Sequence, residues 1–285
     1  MDTKPELDGP KTSARDQWER AAAGWDHHTP VIHQWLRTAT DTMLNMAGVT
    51  PGASVLDMAA GAGDQTLDIA RRVGPEGSVL ATDFSPAMLA LAQQRAEDAG
   101  FRNVATLVAD GEHLPDSLGP FDAAVCRLGL MLFADPLQGL REMHRVLRPG
   151  GGICTVVFSR PEKNPCVAIL MQVALQHAGL APRQPFQPGG LLSLGQPGFI
   201  DGLFEQAGFR EVATTAMEAP FALPSARHYL DFVRASASPI QQILSRLDGA
   251  AQEAAWSEME ARLRAFDTAD GWVGPNELLL TAARR

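Results

Sequence analysis

From Ser54 onward, short apolar runs alternate with segments whose apolar residues recur at helical spacing, the pattern of strand–helix–strand units in a parallel sheet. The spacing predicts strands at about Ser54–Met58, Val79–Thr82, Val104–Ala109, Ala123–Cys126 and Ile153–Phe158. Their near-continuous apolar character fits strands covered on both faces. Ser85-Pro86 opens a helix that ends near Gly100, and Asp135-Pro136 opens one that ends at Pro149-Gly150, each a capping residue followed by a first-turn proline. Ahead of the first strand, Ser13 and Asp16 make a capping-box-like start to a helix carrying Trp18, Ala21, Ala22 and Trp25. Thr29-Pro30 then caps a second helix, whose face of Ile32, Trp35, Leu36, Ala39 and Met43 runs to about Gly48.

Beyond Phe158 the alternation fails. A helix around Val167–Ala178 leads into a Pro/Gly-rich stretch from Ala181 to Gly198, which reads as a lid or insertion. The pattern then predicts a helix over Phe199–Ala207 stopped by Gly208, a strand near Glu211–Met217, a helical pair within Ala226–Phe266 and a closing strand at Glu277–Ala283. The expected architecture is one α/β domain over residues 1–285. Lid helices occupy 13–48, the ligand-binding core 53–158, and covering insertions 161–198 and 225–266.

Composition narrows the classes. A chain of 285 residues with 45% hydrophobic and 20% charged positions suits an ordinary globular fold with a sizeable core. Its net charge of −9 is opposite in sign to what a binder of the phosphate backbone needs, so no nucleic-acid partner is expected. Cys126, Cys154 and Cys166 are widely spaced, with no disulfide framework and no thiolate metal site, which fits a reducing cytoplasm. The polar stretch Met1 to Arg15 lacks the apolar run of a signal peptide. The most apolar run, Val167 to Leu175, is well short of the roughly 20 residues that span a bilayer.

The chemistry concentrates at strand ends. Val55-Leu56-Asp57-Met58-Ala59-Ala60-Gly61-Ala62-Gly63-Asp64 places an acid on the first strand, then a turn of small residues that lets a ligand approach the backbone. In an open parallel sheet such turns lie where ligands bind, with a helix N-terminus presenting its N–H groups. A dinucleotide loop wants G-x-G-x-x-G, whereas this loop reads Gly61-x-Gly63-x-x-Thr66 and carries Asp57 and Asp64, which would repel a pyrophosphate. Such acids suit donors and cations, for example the α-ammonium of an amino-acid moiety or ribose hydroxyls. Asp83, ending the second strand, can accept from a ribose diol, and Asp110, ending the third, can meet the exocyclic amine of adenine.

In their order these motifs, with Phe121-Asp122 through Leu147-Arg148-Pro149-Gly150-Gly151, resemble those of class I S-adenosylmethionine-dependent methyltransferases over roughly Trp18 to Phe158. Gly63-Asp64 and Cys126-Arg127-Leu128-Gly129-Leu130-Met131 look most similar to the ubiquinone/menaquinone C-methyltransferase-like branch, which also holds small-molecule O- and N-methyltransferases. The resemblance implies a Rossmann-like, mostly parallel seven-stranded sheet with helices on both faces and helical lid segments. It implies S-adenosyl-L-methionine as cofactor, with Asp57, Ala59, Gly61 and Gly63 along its methionine end, Asp83 on the ribose, and Phe84 and Met88 beside the adenine. Asp110 and Gly111 would take the adenine edge and Arg127 would lie near the sulfonium. Two positions depart from the family: Ala59 stands where Gly is usual, and Trp25-Asp26 stands where related chains have Tyr-Asp, leaving a cation–π cover without a hydroxyl.

Methyl transfer from a sulfonium needs neither a triad nor a metal, and a base helps only where the acceptor must lose a proton. Of the seven histidines, His28 is the candidate base, and His144 is expected to be structural. Asn164-Pro165-Cys166 has the Pro-Cys pair of cytosine methyltransferases but follows the fifth strand rather than the fourth, so it is read as coincidence. The Leu, Met, Phe and Trp residues of the covering segments point to a small hydrophobic or aromatic acceptor, although the same residues could pack the lid or a homodimer contact. Two other readings stay open: an NAD-dependent oxidoreductase on the same topology, and a non-catalytic partner subunit that kept the fold.

Overall fold

The computed structural model describes residues 9–182, 184–236 and 239–285, with side chains described from residue 15. Two helices, α1 (Gly9–His27) and α2 (Thr29–Ala47), lead into β1 (Ser54–Met58), α3 (Asp64–Val73), β2 (Ser78–Asp83), α4 (Pro86–Asp98), β3 (Val104–Val108) and β4 (Phe121–Arg127). There follow α5 (Pro136–Val146), β5 (Leu147–Phe158), α6 (Pro165–His177), α7 (Phe199–Gln206), β6 (Arg210–Glu218), β7 (Phe221–Leu223), α8 (Ala226–Ala235) and α9 (Pro239–Leu244). The chain closes with α10 (Gly249–Leu263), β8 (Asp267–Thr268), β9 (Gly271–Gly274) and β10 (Glu277–Arg284).

The main sheet has seven strands in the order β3-β2-β1-β4-β5-β10-β6. β10 runs antiparallel to both its neighbours, and the pairs from β3 through to β5 are parallel. The fold is thus the mostly parallel α/β sheet expected from the strand pattern. β1 sits between β2 and β4, where the chain changes the direction in which it adds strands, and a crevice forms outside the strands' carboxyl ends at such a point.

Local signals act where predicted at two helices. The Ser85 hydroxyl accepts from Met88 N–H at the start of α4, and the Asp135 carboxylate accepts from Gln138 N–H at the start of α5. Other boundaries differ from expectation. α1 begins at Gly9, so Ser13 lies within the helix, and its side chain is outside the described residues, as is the segment 1–8 of the polar N-terminal stretch. His28, not Thr29, occupies the cap position of α2, because the Thr29 hydroxyl donates instead to the carbonyl of Trp25 at 3.1 Å. α5 stops at Val146 and β5 starts at once, so Pro149-Gly150 lies within the strand.

The C-terminal region holds more than a helical pair. Three helices, α8 to α10, are flanked by the strands of a small antiparallel sheet, β7-β9-β8, with β7 before them and β8 and β9 after, and this sheet packs the ring of Trp272 in the interior. Trp272 Nε1 donates to Leu263 O at 2.8 Å. Asn164 ties this region to the main sheet: its amide donates to the Ser159 hydroxyl (3.0 Å) and Glu277 O (3.1 Å) and accepts from Glu277 N–H (3.1 Å). That network explains Asn164-Pro165-Cys166 as structure. Among the described residues no helix is long and apolar enough to cross a membrane.

Candidate functional site

The turn after β1 begins the site. Ala59 (φ 54°) and Gly61 (φ 56°) both adopt the left-handed backbone region, folding the chain back so that Ala60 N–H reaches Thr82 O at 3.0 Å and Gly61 N–H reaches the Asp83 carboxylate at 3.0 Å. The other Asp83 oxygen accepts from Ser85 N–H at 2.9 Å. Asp83 therefore pins the turn after β1 to the turn after β2. Loss of solvent raises its carboxyl from 3.8 to about 6, against the lowering effect of these N–H donors.

Asp57 faces the interior. Fully buried, its two oxygens accept from Gln65 Nε2 (2.5 Å) and the Thr66 hydroxyl (2.6 Å) in the first turn of α3, and burial pushes its carboxyl up to about 6. Asp64, at the start of α3, accepts from Arg127 Nη2 at 2.5 Å and lies 2.9 Å from His33 Nδ1. Arg127 Nη1 in turn donates to the Thr40 hydroxyl at 2.7 Å. The pair is nearly sealed, with 6% of the Arg127 side chain and 11% of the Asp64 side chain exposed.

Trp25 covers this floor from α1. A Cβ at Gly61 would point into the space beneath the indole, meeting Trp25 Nε1 at 3.5 Å. Next to it Asp26 accepts from Arg95 Nε at 3.0 Å, clasping the end of α1 to α4. Trp25 packs edge-on to Trp18 and is tilted against Phe232 of α8, each at 5.7 Å. Asp110 ends the next turn, where its carboxylate accepts from Glu112 N–H at 3.0 Å, and Glu112 bridges to Ala134 N–H at 2.8 Å.

These groups border one cavity of about 610 Å³ with two chemically distinct ends. At the strand ends, Trp25, Ala59, Gly61, Asp83, Phe84, Met88, Asp110, Gly111 and Arg127 all line it. Under the covering helices the wall is apolar: Trp35, Leu36, Phe158, Val167, Leu170, Phe221, Tyr229 and Phe232. Trp35 stacks on Phe221 at 4.6 Å and 11°, and its Nε1 donates to Ala219 O at 2.7 Å, which fixes this wall.

Three of the residues singled out from sequence lie off the lining. Asp57 is enclosed behind Gln65 and Thr66, and Gly63 backs onto α4, where a Cβ would sit 2.7 Å from that of Ala92. His28 turns its Nδ1 to Gly24 O at 2.8 Å and its ring edge to Phe232, and among the described residues no histidine lines the cavity. Sequence reasoning did not single out Gln65, Glu112 or Phe133, and it anticipated the apolar wall only as the Leu, Met, Phe and Trp content of the covering segments, without naming Phe221, Tyr229 or Phe232. Trp35 stands in a recognisable helical stripe, but nothing in that stripe tells a core residue from a cavity wall. The thiols of Cys126 and Cys166, pushed up to about 12 by burial, are packing groups rather than nucleophiles.

A model of the ubiE/COQ5 methyltransferase family matches residues 25–176, more than half of the chain. The chain belongs to the ubiE/COQ5 methyltransferase family. It is similar to the ubiquinone/menaquinone biosynthesis C-methyltransferase UbiE of Hahella chejuensis, 41% identical over 139 residues that cover 48% of this chain and 54% of that one. The chain thus spans about half the length of the curated relatives it matches. Among solved structures, the YcgJ protein of Bacillus subtilis shares the fold with a TM-score of 0.58 at 19% identity, covering 87% of this chain and 98% of that one. A phosphoethanolamine N-methyltransferase 2 of Haemonchus contortus shares it at 0.55 and 15% identity, covering 91% and 57%.

Proposed function

We propose that this member of the ubiE/COQ5 family transfers the methyl group of S-adenosyl-L-methionine to a nucleophilic O, N or C atom of a small hydrophobic or aromatic acceptor. The observation that carries the reading is the single cavity joining an acid- and backbone-lined end to an aromatic one. The polar end fits the cofactor's donor set. Half-buried Asp83 and Asp110 offer carboxylates to hydroxyl and amine donors, Gly61 leaves room beneath Trp25, and Phe84 and Met88 supply an apolar flank.

When bound, the cofactor supplies a methyl group already activated by positive sulfur. The chain's part is to bind, orient and exclude water, and good positioning alone is worth about 7–11 kcal/mol. Trp25 brings its indole edge, Nε1 nearest, to the turn, Ala59, Gly61 and Arg127 border the reacting region, and Trp35, Phe158 and Phe221 hold an apolar acceptor dry. Asp57 and Gly63 act through others, Asp57 by holding the first turn of α3 and Gly63 by letting α3 and α4 approach. Asp64 has its charge matched by Arg127, so recognition of the ammonium falls to the remaining groups of this wall. The cofactor core at 53–158 and the coverings at 13–48, 161–198 and 225–266 form one working unit in this reading. The three free cysteines support a reducing, cytoplasmic setting.

Calorimetric titration with S-adenosylmethionine, S-adenosylhomocysteine and NAD(H) tests the cofactor. The expected result is micromolar binding of the first two only, weakened at least tenfold in Asp83→Ala with the fold intact. Binding of NAD(H) alone, or of none, would overturn it. Cofactor binding without turnover on any hydrophobic acceptor would favour a non-catalytic partner subunit instead.

A further inference from the structure

The chain has one tyrosine, and it stands in the aromatic wall of the cavity. Tyr229, on the first turn of α8, is 5% exposed, stacked on Trp272 at 4.8 Å and 22° and edge-on to Phe221 at 5.9 Å and 87°. Its ring is fully committed to packing, whereas its hydroxyl takes part in no hydrogen bond among the described residues. A buried hydroxyl without a partner is costly, and most native structures avoid one. Among the described residues the only side-chain oxygen that is both unpartnered and sealed from solvent is Thr155 Oγ1, so the Tyr229 hydroxyl keeps an accessible face. The space that Tyr229 lines is the cavity.

We infer that Tyr229 is a specificity-determining residue, its hydroxyl donating a hydrogen bond to a lone-pair-bearing atom of the acceptor while the surrounding rings hold the acceptor's apolar body. The inference rests on the proposed methyl-transfer reading for the word acceptor, but not for the contact itself. Burial holds the phenol well above its ordinary pKa of 10, with the neighbouring Cys166 thiol adding to the rise, so the group keeps its proton and serves as a donor rather than a base. Asn276, which also lines the cavity, donates from its amide to Gly274 O at 3.2 Å. A site built around a donor discriminates against an analogue of the same shape that lacks the acceptor atom, because the donor is then left unpaired.

The probes are 1-naphthol and 1-methylnaphthalene, rings of nearly equal size that differ in the oxygen. Their affinities are read by quenching of the cavity tryptophans, with and without S-adenosylhomocysteine. The wild-type protein is expected to prefer 1-naphthol by about tenfold. Tyr229→Phe is expected to erase that preference while leaving 1-methylnaphthalene binding and the melting temperature nearly unchanged, a separation that a packing role alone would not produce. Equal wild-type affinities, failure of both rings to bind, or a preference that survives in Tyr229→Phe would overturn the inference. Failure of S-adenosylhomocysteine to bind would instead overturn the cofactor reading, and the naphthalene comparison without it still decides the role of Tyr229.

Discussion

A Cβ built on Gly129 would lie 2.5 Å from the Cβ of Ala59, so these two residues, from the turns after β4 and β1, share a space that holds one methyl group. Ala59 occupies it at the cost of a left-handed backbone, φ 54°. Ala59→Gly is expected to stabilise the fold by about 1 kcal/mol by relieving that strain. Gly129→Ala should destabilise it by about 1–3 kcal/mol through overpacking. In the double variant the second cost should fall by at least half, the remainder reflecting Cys126 Sγ at 3.0 Å from the same point. A denaturant double-mutant cycle measures the coupling, and strictly additive effects would show that the turns do not share the space.

Asp57 gives the protein a pH dependence of definite sign. With its folded value near 6 against an ordinary 3.8, the native state still holds the proton over a window in which the unfolded chain has released it. Its contribution is therefore fully present below about pH 3.8 and is lost as pH rises through about 6. Asp83 acts in the same direction over the same window. Asp57→Asn, which keeps an acceptor for Thr66, is expected to flatten the fall in stability between pH 4 and 6 relative to wild type. Urea melts at several pH values check this, and an unchanged slope would refute it.

The Arg127–Asp64 pair predicts an asymmetry. Arg127→Met leaves the Asp64 carboxylate one partner, His33 Nδ1 at 2.9 Å, and should cost about 1–3 kcal/mol. Asp64→Asn should cost more, about 3 kcal/mol, since it leaves the more deeply buried guanidinium without a counter-charge, its remaining partner being the neutral Thr40 hydroxyl. Adding Asp64→Asn to Arg127→Met should recover part of the loss. If the double variant is as unstable as the sum of the singles, the two charges are not coupled.

The parallel half of the sheet was legible because a strand covered on both faces must be apolar throughout, and Ser85-Pro86 and Asp135-Pro136 punctuate it with local chemistry. The strand-end acids were equally visible, but not their direction. Whether the Asp57 carboxylate faces ligand or interior depends on the pleat of β1 and on Gln65 and Thr66, in the first turn of α3. The sheet β7-β9-β8 escaped notice since strands of two to four residues are too short to show a period of two. Tyr229 and Phe221 lie far apart from Trp35 in sequence, and their meeting in one wall is a product of the tertiary fold.

Apart from Trp25 of α1, the polar end of the cavity is built from consecutive turns between β1 and α5, and the aromatic end from pieces of α2, α6, α8 and the strands around them. The two ends therefore vary on separate stretches of sequence. Substitutions can accumulate at Phe158, Phe221 or Phe232 and reshape what the aromatic end admits while Asp83 and Asp110 stay untouched, so chains that share the first set of turns need not share a ligand at the second.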